Sequence, residues 1–239
     1  MLRRLCLFLI LAVAIPLPQA RAQEKVDLEL ILMCDGSGSI DGAEFRLQRG
    51  GYAKALRDPQ VLSAIQNGFL GRIALTYVEW SGPFLQVPIV PWMAIRDAAD
   101  INAFAARLER VPRQLYGGGT APGSAILYAA QSLLTNDFEG KRLVIDISGD
   151  GPDTSGVASS FARDQAVAQG VVINGLPILN DVPTLDVFFR TRVIGGQGAF
   201  LVVAKDFDDI HDAVRMKLLR EIAGVTPDDA SPAAELAAR

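Results

Sequence analysis

Histidine and cysteine are almost missing from this chain, which has one His and two Cys in 239 residues. The lone imidazole, His211, falls in the last helical stretch, where a solvated or helix-packing role is expected. Ser37 lies in no G-x-S-x-G elbow, so a serine hydrolase would lack both its turn and its base. Cys6 belongs to an N-terminal segment expected to be removed. That leaves Cys34 alone and excludes an internal disulfide. Cys34 ends an apolar strand and reads as a small core residue. Basic clusters are missing too. Lys and Arg number 23 against 27 Asp and Glu, a net charge of −4, and losing Arg3, Arg4 and Arg21 makes the chain more acidic still. Binding to nucleic acid or anionic lipid through bulk charge is therefore excluded. No internal repeat and no second domain are visible.

The N-terminus reads as a targeting segment. Arg3 and Arg4 supply positive charge, Leu5 to Leu17 an apolar run, and Ala20-Arg21-Ala22 an A-x-A cleavage site. As a membrane anchor the run is short, and Pro16 and Pro18 interrupt it. The expected organisation is a signal peptide over 1–22, one domain over 23–225 and a disordered Ala-, Asp- and Pro-rich tail over 226–239. The protein is thus expected to be exported, periplasmic or secreted, with no stable membrane span after cleavage.

Along the chain, apolar strands alternate with amphipathic helices. Strands are expected at Val26–Cys34, Gly71–Trp80, Leu85–Val90, Lys141–Ser148, Val171–Leu179 and Ala199–Ala204. Helices are expected at Ala43–Arg57, Asp100–Val111, Ser124–Leu134, Ser159–Gln169, Thr184–Arg192 and Asp206–Ile222, with Asp206 as the last N-cap. This pattern predicts an α/β fold: a doubly wound, mostly parallel six-stranded sheet with helices on both faces. Leu85–Val90 contains Pro88 and suits an antiparallel edge strand. Such sheets carry their sites beyond the strand carboxyl ends.

Three loops at that edge concentrate oxygen-bearing side chains. The first strand stops at Asp35-Gly36-Ser37-Gly38-Ser39, where the glycines allow a tight turn and three side chains can converge. A carboxylate and two hydroxyls without nearby His or Cys suit a hard cation such as Mg²⁺, with Mn²⁺ or Ca²⁺ as further candidates. Thr120 follows Gly117-Gly118-Gly119, and Asp150 lies between Gly149 and Gly151 after the strand that ends at Ser148. Taken singly, Thr120 could be a helix N-cap and Asp150 a turn residue.

Those motifs resemble a von Willebrand factor A-type domain: D-x-S-x-S at Asp35, Ser37 and Ser39, then Thr120, then Asp150 in Ser148-Gly149-Asp150-Gly151. More narrowly, Val78-Glu79-Trp80, Asp146 to Pro152, Asn174 to Ile178 and Leu218 to Ile222 are similar to a bacterial exported branch of that class, of unassigned function. The resemblance implies strand order 3-2-1-4-5-6 and a metal held by Asp35, Ser37, Ser39, Thr120 and Asp150. It also implies a protein partner that offers Asp or Glu to the metal. The function so implied is a metal-dependent adhesion or assembly module rather than an enzyme. The alternative is a metal-dependent, phosphatase-like hydrolase, suggested by Gly149-Asp150-Gly151-Pro152-Asp153. In that class the first motif is D-x-D, and here Ser37 stands where its acid–base carboxyl would be. Trp80, Trp92 and Phe84, around the hairpin, are expected to cover the core or the sheet edge, with the rim of a partner surface as the alternative. Asp146, inside a buried strand, is expected to accept hydrogen bonds from neighbouring loops behind the site.

Overall fold

The computed structural model describes residues 22–224. The targeting segment expected over 1–22 (Ala22 apart) and the tail expected over 226–239 lie outside the described residues. The chain opens with strands β1 (Glu24–Val26) and β2 (Glu29–Asp35). Helices α1 (Gly42–Leu56) and α2 (Pro59–Gln66) lead to β3 (Ile73–Trp80) and β4 (Gln86–Ile95). There follow α3 (Ala98–Arg110), α4 (Pro122–Thr135), β5 (Phe138–Gly140), β6 (Leu143–Gly149), α5 (Ser159–Ala168), β7 (Val171–Pro177), α6 (Leu185–Phe188) and α7 (Ile210–Ala223).

β2 and β3 are buried along their whole length. Their near-continuous apolar runs reflect a sheet covered on both faces. The central sheet has the order β4-β3-β2-β6-β7, in which only β4 is antiparallel. β2 therefore lies between β3 and β6, and the loops after β2 and β6 meet at one edge. Leu28, Leu30 and Leu32 point to a core layer with Tyr52, Phe104 and Val214, beneath α1, α3 and α7. Ile31 and Met33 point to the opposite layer with Ile126, Ala129 and Ala162, beneath α4 and α5. This alternation is the period-2 pattern of a strand carried into a two-sided core.

The expected six strands become five in this sheet, with β1 and β5 forming a separate parallel pair. Residues 199–204 do run beside β7, but only through isolated bridges, Gly175 to Leu201 and Ile178 to Ala204. Pro177 is the physical reason. The Val202 N–H donates to Gly175 O and the Ala204 N–H donates to Pro177 O, but Pro177 has no N–H to return. The ladder breaks at that residue.

Three further expectations change. The helix expected over Thr184–Arg192 is a single α-turn, α6, continued by a π-helical turn at Phe189–Val193. Asp206 does not cap the last helix. Its Oδ1 accepts from the Asp208 and Asp209 N–H groups in the turn before α7, which starts at Ile210. α2 was not expected at all; Asp58 caps it and Pro59 opens it. Cys34 is fully buried as expected, and burial pushes its thiol up to about 12.

Candidate metal centre

Asp35 is the last residue of β2, and the two glycines after it carry the chain across the sheet edge. Its Oδ1 accepts the Ser37 N–H at 2.7 Å, which folds the loop back on the carboxylate. Ser37 Oγ and Ser39 Oγ lie 3.1 Å apart, and Ser39 Oγ donates to Asp150 Oδ1 at 2.9 Å. Asp150 stands just past the end of β6, the neighbour of β2. Four of the five expected residues are thus linked across two loops. Asp35 and Asp150 are buried, and Asp35 Oδ2 and Asp150 Oδ2 have no hydrogen-bond partner among the described residues. Burial, and then the negative charge of Asp150, push the Asp35 carboxyl up to about 7. Burial likewise raises Asp150, with the Ser39 bond opposing it.

Thr120 stands in the third loop, and among the described residues no side-chain hydrogen bond joins it to the other four. It does not cap α4: the N-cap position is Ala121, which makes no side-chain cap bond. Its backbone is tied instead, with its N–H donating to Thr154 Oγ1 and its C=O accepting from the Thr154 N–H. Its side chain lies near the Asp150 loop, since a Cβ on Gly151 would come within 3.8 Å of Thr120 Cγ2 and Oγ1 alike. Glycine is required where the glycine loop meets the turn after β3. A Cβ on Gly82 would stand 2.2 Å from Gly118 O. Gly149 has a similar role, since a Cβ there would crowd Asp35 Oδ2 at 3.0 Å and the Trp80 ring at 3.2 Å. Trp80 is buried beneath the site as cover, and Trp92 is half-buried with its indole N–H donating to Ser132 Oγ. Phe84 departs from the expectation: it is 94% exposed on the turn beside the site.

Among the described residues no group of three or more His, Cys, Asp or Glu side chains is placed to hold a metal. The cluster around Asp35 has only two carboxylates. Its remaining oxygens are hydroxyls, a donor set suited to a hard cation that keeps part of its water.

Sequence reasoning missed the residue that holds the first loop. Arg113 Nη1 donates to Ile40 O and Asp41 O, Nη2 to Gly36 O and Ser37 O, and Nε to Leu115 O. Beneath it, Arg49 is ion-paired with the buried Glu79 and donates to the carbonyls of Leu108 and Val111. Carbonyl acceptors leave no trace in a sequence; only the charge of Arg113 between Pro112 and Gln114 was visible. Asp146 also differs from the expectation. Its partner is Lys217 of α7, 2.5 Å away, rather than the neighbouring loops, and Lys217 also donates to Glu221. His211 is hydrogen-bonded to Asp212 on α7 and takes no part in the bonds around Asp35.

The family model described as "Protein of unknown function (DUF1194)" matches residues 25–226. The chain belongs to that family. The fold of this member is von Willebrand factor A-like: the solved structures that resemble it include a von Willebrand factor type A protein. Proximal thread matrix protein 1 from the mussel byssus superposes with a TM-score of 0.62 at 17% identity, over 84% of this chain and 50% of that one. A further structure of the same mussel protein, with a zinc-occupied MIDAS motif, gives 0.58 at 15% identity, over 84% and 49%. A von Willebrand factor type A protein from Catenulispora acidiphila gives 0.56 at 15%, over 83% and 43%. The pilus adhesin SpaC from Lactobacillus rhamnosus GG gives 0.58 at 13%, over 84% and 31%. The DUF1194 chain thus spans about half the length of the mussel protein or less of the others, and at these identities the likeness is one of fold. No curated protein matches by sequence. Among the described residues no helix is long and apolar enough to cross a membrane.

Proposed function

We propose that this DUF1194 member is a metal-dependent adhesion or assembly module. In this reading Asp35, Ser37, Ser39, Thr120 and Asp150 hold Mg²⁺, and the ion accepts an Asp or Glu carboxylate from a partner protein. The observation that carries it is the pair of buried carboxylate oxygens, Asp35 Oδ2 and Asp150 Oδ2, left without partners among the described residues in a cluster otherwise hydrogen-bonded across loops. Buried carboxylates without a counter-charge are costly, and a cation between them removes that cost. With few charged ligands the ion stays electrophilic toward an external carboxylate. The zinc-occupied motif of the mussel protein and the pilus adhesin among the fold relatives support the same reading. No histidine joins the cluster's hydrogen bonds, and Ser37 stands where a phosphatase-like mechanism needs an acid–base carboxyl. The proposal therefore assigns no catalytic residue, and export to the periplasm or beyond belongs to it.

Melting curves in EDTA and in millimolar Mg²⁺ or Mn²⁺ test the site. A cation that binds only the folded state stabilises it by about 2.7 kcal/mol at a hundredfold excess over Kd. Ser37→Ala should shrink the metal-induced rise in Tm with little loss in EDTA. Asp150→Asn should shrink it too, yet raise Tm in EDTA by relieving the like charge beside Asp35. Equal metal shifts in all three proteins would place the cation elsewhere and sink the proposal.

A further inference from the structure

Beside the candidate metal centre lies a cavity of about 560 Å³ between α1 and the segment after α3, walled by Phe45, Arg46, Arg49, Pro112, Arg113 and Tyr116. Its chemistry is the reverse of the chain's net acidity. Three guanidiniums face it and one carboxylate, Glu109, which Arg57 already holds. Arg49 is neutralised from behind by Glu79. Among the described residues Arg46 and Arg113 form no ion pair. The Arg113 hydrogen bonds go to carbonyls rather than carboxylates, and the acids that act on it are Asp41, which also faces Arg46, and the Glu79 that Arg49 already holds. The Arg113 guanidinium lies 4.9 Å from the Phe45 ring centre and 5.3 Å from that of Tyr116, and Arg49 lies 4.6 Å from the Phe45 ring, so the aromatic surface left open is that of Tyr116. Tyr116 is 76% exposed, although a tyrosine ring carries a large apolar surface. The cavity is continuous with the metal loops. Arg113 itself binds the carbonyls of Gly36 and Ser37, and Gly117, next to Tyr116, would touch a Cβ on Gly38 at 3.6 Å.

From this juxtaposition we infer that the cavity is a second recognition pocket, which takes an acidic segment of a partner protein with an aromatic side chain beside its carboxylates. The inference rests on the proposed metal reading for one contact only, the carboxylate that reaches the ion. The aromatic side chain packs on the exposed Tyr116 ring at the mouth of the cavity, and the neighbouring acidic groups lie in the field of Arg46 and Arg113. Together the metal and the pocket would read a short motif rather than one carboxylate.

Titration of the isotope-labelled mature protein with acetyl-Phe-Glu-Asp-Glu-amide, in EDTA and in Mg²⁺, tests the pocket. The expected result is saturable movement of the Gly42, Phe45 and Tyr116 amide resonances in both buffers, tighter in Mg²⁺. The neutral acetyl-Phe-Gln-Asn-Gln-amide should bind about tenfold more weakly, and Arg46→Glu should weaken the acidic peptide about fivefold. Tyr116→Ala should weaken both peptides. Equal binding of the neutral peptide, or no saturation in either buffer, overturns the inference. So does movement confined to the Asp35 and Asp150 loops, which would leave the metal reading standing alone. Concentration-dependent self-association that moves the same resonances without peptide would assign the pocket to a second copy instead. If Mg²⁺ fails to bind, the EDTA arm still reads the pocket by itself.

Discussion

A single guanidinium holds the loop that carries three of the five candidate ligands. Arg113 reaches the carbonyls of Gly36, Ser37, Ile40 and Asp41, where a flexible glycine-bearing segment would otherwise sample many shapes. Arg113→Ala should therefore lower stability by about 2 kcal/mol in a urea titration, through several lost charged hydrogen bonds. It should also reduce the metal-induced rise in Tm, because the ligands are no longer pre-arranged; an undiminished rise would show that the loop holds itself. The candidate ligands stood out in the sequence because each has a glycine beside it, and Asp35 and Asp150 also follow apolar strands. Arg113 did not, since its partners are backbone carbonyls up to 77 residues away. Asp146 was legible as an anomaly but not in its pairing, because Lys217 arrives from the last helix and its spacing says nothing about β6.

At the level of elements, α7 is attached to the sheet partly by charge. Lys217 is fully buried with Asp146 of β6 and with Glu221, and Glu221 Oε1 also accepts from Asn174 Nδ2 on β7. Burial raises both carboxyls, and the lysine's charge opposes that rise. Removing one member of such a cluster leaves the others uncompensated. Lys217→Met should cost about 3–5 kcal/mol, measured by the urea midpoint, while replacing all three by apolar residues of similar volume should restore most of the loss. A small effect of the single change would mean that water reaches the cluster. The long elements were readable from periodicity, and even the strand order followed from the family resemblance. β1 and β5 were not, because three residues hold no period. Pro177 was in plain view, yet its effect depends on which way its nitrogen faces, and that is a property of the sheet rather than the strand.

For the molecule as a whole, buried acids set the pH response. Glu29, Asp35, Glu79, Asp146, Asp150 and Glu221 all have carboxyls raised first by burial. A raised carboxyl favours the folded state at pH below its unfolded value and loses that advantage as pH climbs through the folded one. For Asp35 the window runs from its usual 3.8 to about 7. In EDTA the melting temperature should thus fall as pH rises from about 4 to about 7, and Asp35→Asn should flatten the fall. A slope unchanged by that substitution would assign the response to the other acids. Asp41, Asp58 and Glu109, lowered by hydrogen bonds, act oppositely and only at more acidic pH. The prolines of the two outer strands matter at this scale as well. β4 carries Pro88 and Pro91 with shifts in its register, and beyond β7 the pairing is broken at Pro177. Neither flank of the sheet offers an unbroken row of donors, so another chain cannot easily add itself there by strand pairing. Replacing Pro88 and Pro91 with Thr should raise light scattering in concentrated solution while leaving the fold intact. The central sheet is thus built to end where it does, and at its two flanks contact through loops and side chains is favoured over an extension of its backbone.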